Sequence, residues 1–306
     1  MSWLFFAIAT TLLWGGAELF YKKGARPEEK YAHLKICVSV GAVMGLHALF
    51  TLLTQDIHYD PRNLLYYLPV SLLYIVSMGA SYFGMRFLEE SISDPIENTS
   101  GAICSLLCVL ILKESLSPLA IVAIVVIVIG VLGVGFLENG ADNHRKAEFG
   151  KKLAIVAFCM PFVYATLDAL GSFLDVFYLD DIATTPLVGV TEATLEDVAN
   201  TSYELTFALC ALLLFLYMKH QKVSFGSLPQ QKDKILAAVF ETAGQFTYVY
   251  AMSGNGVIAA PIISSVCIVS LLLSRVFLKE KLGWKTYIFI AIVIFGILLL
   301  AVSEEL

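Results

Sequence analysis

The chain has 306 residues, of which 58% are apolar and 15% charged, with a net charge of −6 and a mean hydropathy of +0.79. Soluble domains are about 45–50% apolar and about 25% charged. This composition excludes a soluble enzyme, a secreted disulfide scaffold, a nucleic-acid-binding protein and a disordered chain, and it indicates a polytopic membrane protein.

Ten apolar segments approach the length of about 20 residues that a membrane-spanning helix needs. They show no alternation of polarity, and unpaired backbone groups are too costly in lipid, so the spans are predicted to be helices. The sequence therefore predicts an all-α integral membrane protein with ten transmembrane helices and no soluble domain. In chain order the predicted spans are 2–21, 36–54, 63–84, 92–112, 117–138, 153–178, 199–218, 234–252, 255–277 and 285–303.

An internal repeat links spans four and five to spans nine and ten. Pro95-Ile96 and the Leu-Lys-Glu-x-Leu motif at 112–116 recur 166 residues later, as Pro261-Ile262 and the motif at 278–282. Each half then holds five spans, an odd number, so the second half enters the membrane inverted. Inverted 5+5 repeats are typical of secondary transporters. The predicted halves are residues 1–142 and 143–306.

Carboxylates within spans form the main candidate binding groups, because ionisable residues in lipid are expensive and suggest function. No lysine or arginine lies near a span centre, so these carboxylates must stay protonated or pair with an arriving cation. Asp168 and Glu241 lie well inside spans, whereas Glu18 and Glu97 can equally be interfacial. We expect Glu204 to be a rim residue near a span end.

Aromatic residues accompany these carboxylates. Trp14 precedes Glu18 by one helical turn, and Tyr164 precedes Asp168 by one turn. Aromatic faces with a carboxylate form a cage for alkylammonium groups, although aromatics are also common in membrane packing. His47 is expected to be a packing histidine rather than a proton relay. The predicted substrate-binding residues are Trp14, Glu18, Tyr82, Glu97, Tyr164, Asp168, Glu241 and Tyr248.

The distribution of basic residues predicts the orientation. Of the 20 lysines and arginines, 18 lie on the face that carries the connection after span one, and Arg62 and Lys113 lie on the other. Basic loops favour the cytoplasm, so both termini are predicted outside. The outer face then becomes acidic, with Asp175 and Asp180 among its carboxylates. That acidity indicates either a solvated loop or an anionic vestibule that concentrates cations.

Three features together resemble the EamA-like drug/metabolite transporters. They are the 5+5 layout, the Trp14-Gly15-Gly16 stretch in span one, and a proline-containing span that ends in Leu-Lys-Glu-Ser-Leu before a glycine-rich span. The resemblance covers almost the whole chain and implies a central cavity lined by spans 1, 3, 4, 6, 8 and 9. Members of that family carry amino acids, nucleotide sugars, amines and other metabolites, and are commonly drawn with both termini inside. The charge bias favours the opposite orientation, which we adopt.

The sequence therefore predicts a secondary transporter in the cell membrane that moves a small organic cation or amine-bearing metabolite by alternating access. The alternatives are an exporter of amino acids or neutral metabolites, a channel, and an intramembrane lipid-headgroup enzyme with Asp168 and Glu241 as acid and base. Walker A, HExxH and GxSxG motifs are absent from suitable contexts. The protein is expected not to be an enzyme and to bind no nucleic acid, cofactor or metal. Coupling to protons, solute exchange and a homodimer through Gly41-x-x-x-Gly45 stay open.

Overall fold

A computed structural model describes residues 2–26, 28–87, 93, 96–138, 151–277 and 283–303, and this part of the chain contains helices and no strands. Eleven α-helices are numbered here in chain order. They are α1 Ser2–Gly24, α2 Ala32–Thr54, α3 Asn63–Tyr66, α4 Leu68–Gly84, α5 Ser100–Leu107, α6 Pro118–Glu138, α7 Lys151–Leu179, α8 Leu195–His220, α9 Lys232–Ile263, α10 Val266–Phe277 and α11 Trp284–Ser303. A π-helical turn, Cys108–Leu112, continues α5, and a 3₁₀ turn, Leu228–Gln231, precedes α9.

The helices have the length and surface of membrane spans. Six helical segments are long and apolar enough to cross a bilayer, and four shorter apolar helices accompany them. Large apolar side chains such as Leu53, Leu213 and Phe295 face outward on these helices. An outer surface of this kind is costly in water and natural in lipid. The prediction of a helical, multi-pass membrane protein is confirmed.

Helix α9 covers two of the predicted spans. Its backbone leaves the helical conformation at Asn255, where φ is −168° and ψ is 73°. Asn255 is the first residue of predicted span nine, 255–277, and follows the two-residue connection after span eight, 234–252. The sequence placed a short connection here, and the structure replaces it by a kink of one residue within a continuous segment.

The predicted repeat is accompanied by a recurring break in two helices. Thr99 donates its side-chain hydroxyl to the Ile96 carbonyl at 2.7 Å, and Ser265 donates to the Ile262 carbonyl at 2.5 Å. The second pair follows the first by 166 residues in the sequence. A turn precedes α5 at the first position and α10 at the second, and each helix begins at the next residue. Pro95 and residues 278–282, on which the sequence repeat also rested, lie outside the described residues.

Helices α6 and α11 pack through a reciprocal pair of glycines. A methyl group added at Gly130 would lie 3.1 Å from the Val293 backbone nitrogen, and one added at Gly296 would lie 3.1 Å from the Ile127 backbone nitrogen. Gly296 and Val293 follow Gly130 and Ile127 by the same 166 residues. The contact is therefore equivalent from both sides, as a local two-fold axis requires.

We expect alanine at Gly130 or Gly296 to destabilise the protein to a similar extent, by about 1–3 kcal/mol, because each methyl would overpack the interface. Gly79→Ala is the matched control, since no atom lies within 4 Å of its added methyl; it should be neutral or slightly stabilising. Thermal unfolding in detergent measures all three. Unequal losses at Gly130 and Gly296 would contradict the symmetric contact.

Two long antiparallel pairs surround the centre of the molecule. Helix α1 runs against α9, since Trp3 lies beside Gly254 and Gly24 lies beside Lys234. Helix α4 packs on α7 in the same way. A third pair, α2 with α8, joins at Gly41, where a methyl would collide with Ala211. This glycine is therefore used for packing within one chain, and the predicted homodimer stays a prediction.

Candidate functional site

A cavity lies between the two central helix pairs, with about 600 Å³ of atom-free space that is partly open to solvent. Most of its walls come from α1, α4, α7 and α9. Along each of these helices the cavity occupies the middle and the half nearer the basic loops. The lining residues are Trp14, Glu18, Tyr21, Tyr74, Met78, Ser81, Tyr82, Met85, Glu97, Tyr164, Asp168, Tyr203, Glu241, Gln245 and Val266.

Glu241 is held at one wall by tyrosine hydroxyls. Tyr21 donates to Glu241 Oε2 at 3.1 Å, and Tyr82 donates to the Tyr21 hydroxyl at 2.8 Å. The two tyrosine rings lie 4.7 Å apart, centroid to centroid. Trp14 Nε1 donates to the backbone carbonyl of Glu241 at 3.3 Å, which joins α1 to α9 at this level. The described hydrogen-bond donor to the Glu241 carboxylate, Tyr21, thus carries no charge.

Asp168 and Glu97 lie on other walls of the same cavity. The hydroxyls of Ser100 and Tyr164 lie beside the Asp168 carboxylate and can donate to it, and the second of these is the predicted partner one turn away. Ser81 donates to Glu97 Oε2 at 2.8 Å. Asp168 keeps partial exposure toward the cavity, whereas Glu97 is largely buried. Both carboxylates are therefore oriented by neutral hydroxyl donors.

The described lining of the cavity is acidic and aromatic. It contains four carboxylates, from Glu18, Glu97, Asp168 and Glu241, and no lysine or arginine. Carboxylates removed from water attract cations more strongly than they do at a surface, because the local dielectric is low. Among the described residues, no group of three or more His, Cys, Asp or Glu is arranged to hold a metal.

Seven of the eight predicted binding residues line this cavity, and the eighth lies behind it. Tyr248 is buried and stacks on Trp14 with centroids 5.1 Å apart. It supports the tryptophan ring rather than lining the cavity itself. Glu18 and Glu97, which the sequence left between interface and cavity, both lie on the cavity wall. Their role in binding substrate stays a prediction.

Five polar lining residues were not predicted from the sequence, and one of them, Ser81, is placed by its hydrogen bond to Glu97. Tyr21 follows Glu18 by three positions, and Gln245 follows Glu241 by four, so helical spacing from a carboxylate was a usable signal for both. Tyr74 and Tyr203 have no such neighbour. Their positions depend on how α4 and α8 pack against the centre.

Two expectations about acidic residues are wrong. Asp175 does not face an outer vestibule; it is fully buried, because α7 continues to Leu179 and turns this residue toward α4. Glu204 is not a rim residue. It is fully buried and its carboxylate lies 2.8 and 2.9 Å from His47 Nδ1, with Asn200 donating to it at 3.0 Å. A carboxylate pointing into a helix interface needs such a partner.

A cluster of one carboxylate and two lysines lies at the end of α1 and α9 that carries the basic loops. Glu29, between α1 and α2, accepts from Lys35 at 2.6 Å and from Lys234 on α9 at 2.9 Å. The side chains of Lys35 and Lys234 are 9% and 3% exposed. Burial alone would raise the pKa of Glu29, but the hydrogen bonds and charges of the two lysines outweigh it and lower that pKa. One carboxylate therefore ties three segments together.

Comparisons with known proteins agree with this fold. None of the curated proteins matches the sequence significantly. A solved structure titled only as a crystal structure of a protein aligns with a TM-score of 0.71 at 12% identity, covering 100% of this chain and 99% of the other. That likeness concerns the fold alone. A model of the EamA-like transporter family matches residues 1–136 and 183–302, and the chain therefore belongs to the EamA-like family of membrane transporters.

Proposed function

We propose that this transporter moves a small organic cation or an amine-bearing metabolite. The observation that carries the proposal is the cavity that holds Asp168 and Glu241, with no lysine or arginine in its described lining. Trp14, Tyr82 and Tyr164 supply aromatic faces beside these carboxylates. Each cation–π contact contributes about 0.5–2 kcal/mol. A neutral or anionic solute would gain much less from these walls.

Alternating access through a 5+5 inverted repeat is the proposed mechanism. Three observations support it: the recurring break at Thr99 and Ser265, the reciprocal contact of Gly130 and Gly296, and the pairing of helices. In a 5+5 repeat each span corresponds to the span five later in the sequence. The contact between spans one and eight, α1 with α9, then corresponds to the contact between spans six and three, α7 with α4. Both contacts are present. Two halves related in this way can rock around a central site.

Calorimetry on the purified protein tests the substrate class. We expect a quaternary alkylammonium ion to bind and its neutral isostere, with carbon in place of nitrogen, to bind at least about 10-fold more weakly, because the isostere has no charge to pair with a carboxylate. Equal binding of the two would favour the amino-acid or neutral-metabolite alternative. Product formation from lipid headgroups without solute flux would favour the enzyme.

The proposed orientation places both termini and the acidic loops outside the cell, as the bias of 18 basic residues in 20 predicts. Glu28 and Glu192 are both exposed and lie on opposite faces. In a background without Cys159 and Cys210, we expect Glu192→Cys to react with an impermeant thiol reagent on intact cells, and Glu28→Cys to resist it. The reverse labelling would place the termini inside.

A further inference from the structure

A buried carboxylate of α7, that of Asp175, lies outside the cavity. Asp175 follows Asp168 by seven residues on α7, which is two turns, or about 10.5 Å along the axis, on nearly the same helix face. It lies on the side of the cavity nearer the acidic loops and is 0% exposed. Asp175 has no role in the cation site that is proposed at Asp168.

Tyrosine hydroxyls surround Asp175. Tyr67 donates to Oδ1, and the Tyr74 hydroxyl lies 3.0 Å from Oδ2. The Tyr248 hydroxyl lies 2.6 Å from that of Tyr74 and donates to Ser172 at 3.1 Å. In the described part of the chain, the hydrogen-bond partners of the Asp175 carboxylate are thus neutral groups. A carboxylate with a purely structural role at this depth would more commonly face an arginine or lysine.

Tyr74 separates Asp175 from the cavity. Tyr74 is one of the residues that line the cavity, and its hydroxyl belongs to the network around Asp175. One layer of side chains therefore lies between the two carboxylates of α7. Rotation of a tyrosine side chain is a smaller change than separation of a salt bridge, since no pair of charges has to be parted.

The carboxylates continue beyond this network to the surface. Helix α7 ends at Leu179, and Asp180 and Asp181 follow it in an exposed position. Asp168, Asp175 and Asp180 thus form a succession from the cavity to the acidic face. A cation that leaves one of them meets another carboxylate within about two helical turns.

We propose that Asp175 is a second binding site for the ammonium group of the substrate, on the half of the pathway nearer the acidic loops, and that Tyr67, Tyr74 and Tyr248 close it in this structure. The proposal rests on the proposed transport of an organic cation. It predicts that the cavity and Asp175 are occupied in turn, so that loss of Asp175 impairs transport more than binding.

The test compares Asp175→Asn with Glu192→Gln, which removes an exposed carboxylate outside this succession. Calorimetry should find binding of a quaternary alkylammonium within about threefold of the parent in both variants. Flux of the same ion into proteoliposomes should fall at least about tenfold in Asp175→Asn and stay unchanged in Glu192→Gln. Parental flux in Asp175→Asn would overturn the proposal. Failure of the parent to bind or carry the cation would instead overturn the proposed function.

A second measurement on the unaltered protein covers the case in which Asp175→Asn does not fold. An apolar carbodiimide reacts with buried carboxyl groups that become accessible, and mass spectrometry of the digested protein locates the adduct. We expect an adduct at Asp175 during cation exchange in proteoliposomes, and its rate of formation should fall as the alkylammonium concentration rises. If Asp175 never reacts with the carbodiimide, or if the alkylammonium ion does not slow this reaction, a binding role for Asp175 is contradicted.

Discussion

Asp168→Asn and Glu241→Gln should each weaken binding of a quaternary alkylammonium about 10- to 100-fold. A quaternary ammonium ion has no N–H to donate, so the loss is that of the charge pair, which at about 4 Å and an effective dielectric constant of about 20 amounts to about 4 kcal/mol before the cost of desolvation. The amide keeps the shape and one acceptor oxygen, so Tyr21 can still donate at position 241 and Tyr164 can still donate at position 168. Only the charge is removed. Isothermal titration calorimetry of the purified variants measures the change.

The matched control for these variants is Glu192→Gln, which removes an exposed carboxylate far from the cavity and should leave binding unchanged. Binding of the neutral isostere should change little in any of the three proteins. The apo variants should unfold at or above the parental temperature, because neutralising a buried carboxylate removes its desolvation cost. Parental affinity for the cation in both cavity variants would place the cation site elsewhere.

Glu29→Gln should destabilise the protein by about 3–5 kcal/mol, because it leaves Lys35 and Lys234 buried without their shared carboxylate. The neighbouring variant Glu28→Gln is the control, since that side chain is exposed; it should stay within about 0.5 kcal/mol of the parent. Denaturant unfolding in detergent measures both. A loss at position 29 no larger than that at position 28 would show that the cluster is not an anchor.

The same cluster sets a dependence of stability on pH. The pKa of Glu29 is lowered in the folded protein, so its contribution is complete above the ordinary carboxyl pKa of about 4.3. The contribution is lost as the pH falls through the lowered, folded value. The stability difference between the parent and Glu29→Gln should therefore be constant from pH 7 to about pH 5.5 and should shrink below about pH 4.

The helical membrane fold was predictable because bilayer physics leaves few choices. A segment of about 20 apolar residues in lipid must satisfy its own backbone, and hydropathy alone then locates the helices. The sequence placed a break between spans eight and nine within about two residues of Asn255, but the form of that break, a single non-helical residue, was not predictable from the apolar pattern. The same holds for the π-helical turn Cys108–Leu112, whose sequence reads as an ordinary helix.

Candidate site residues were predictable where the cost of burying a charge identified them. Asp168 and Glu241 stand out in any apolar helix, and their aromatic neighbours follow from helical spacing. The His47–Glu204 pair was missed because it joins α2 and α8, which are 157 residues apart in sequence at this contact. Tyr203 was missed for a similar reason, because it reaches the cavity through the packing of α8 on helices that are distant in sequence. Contacts between helices distant in sequence carry no local signal.

Uptake of a labelled alkylammonium ion into proteoliposomes tests the central claim most directly. Vesicles preloaded with the same unlabelled ion should take up label faster than empty vesicles, and uptake should saturate with external concentration, as alternating access through one site requires. The Asp168→Asn protein should lose most of this flux. Conductance without saturation or counter-stimulation would indicate a channel, and absence of flux in the parent, with its binding intact, would contradict transport of the cation altogether.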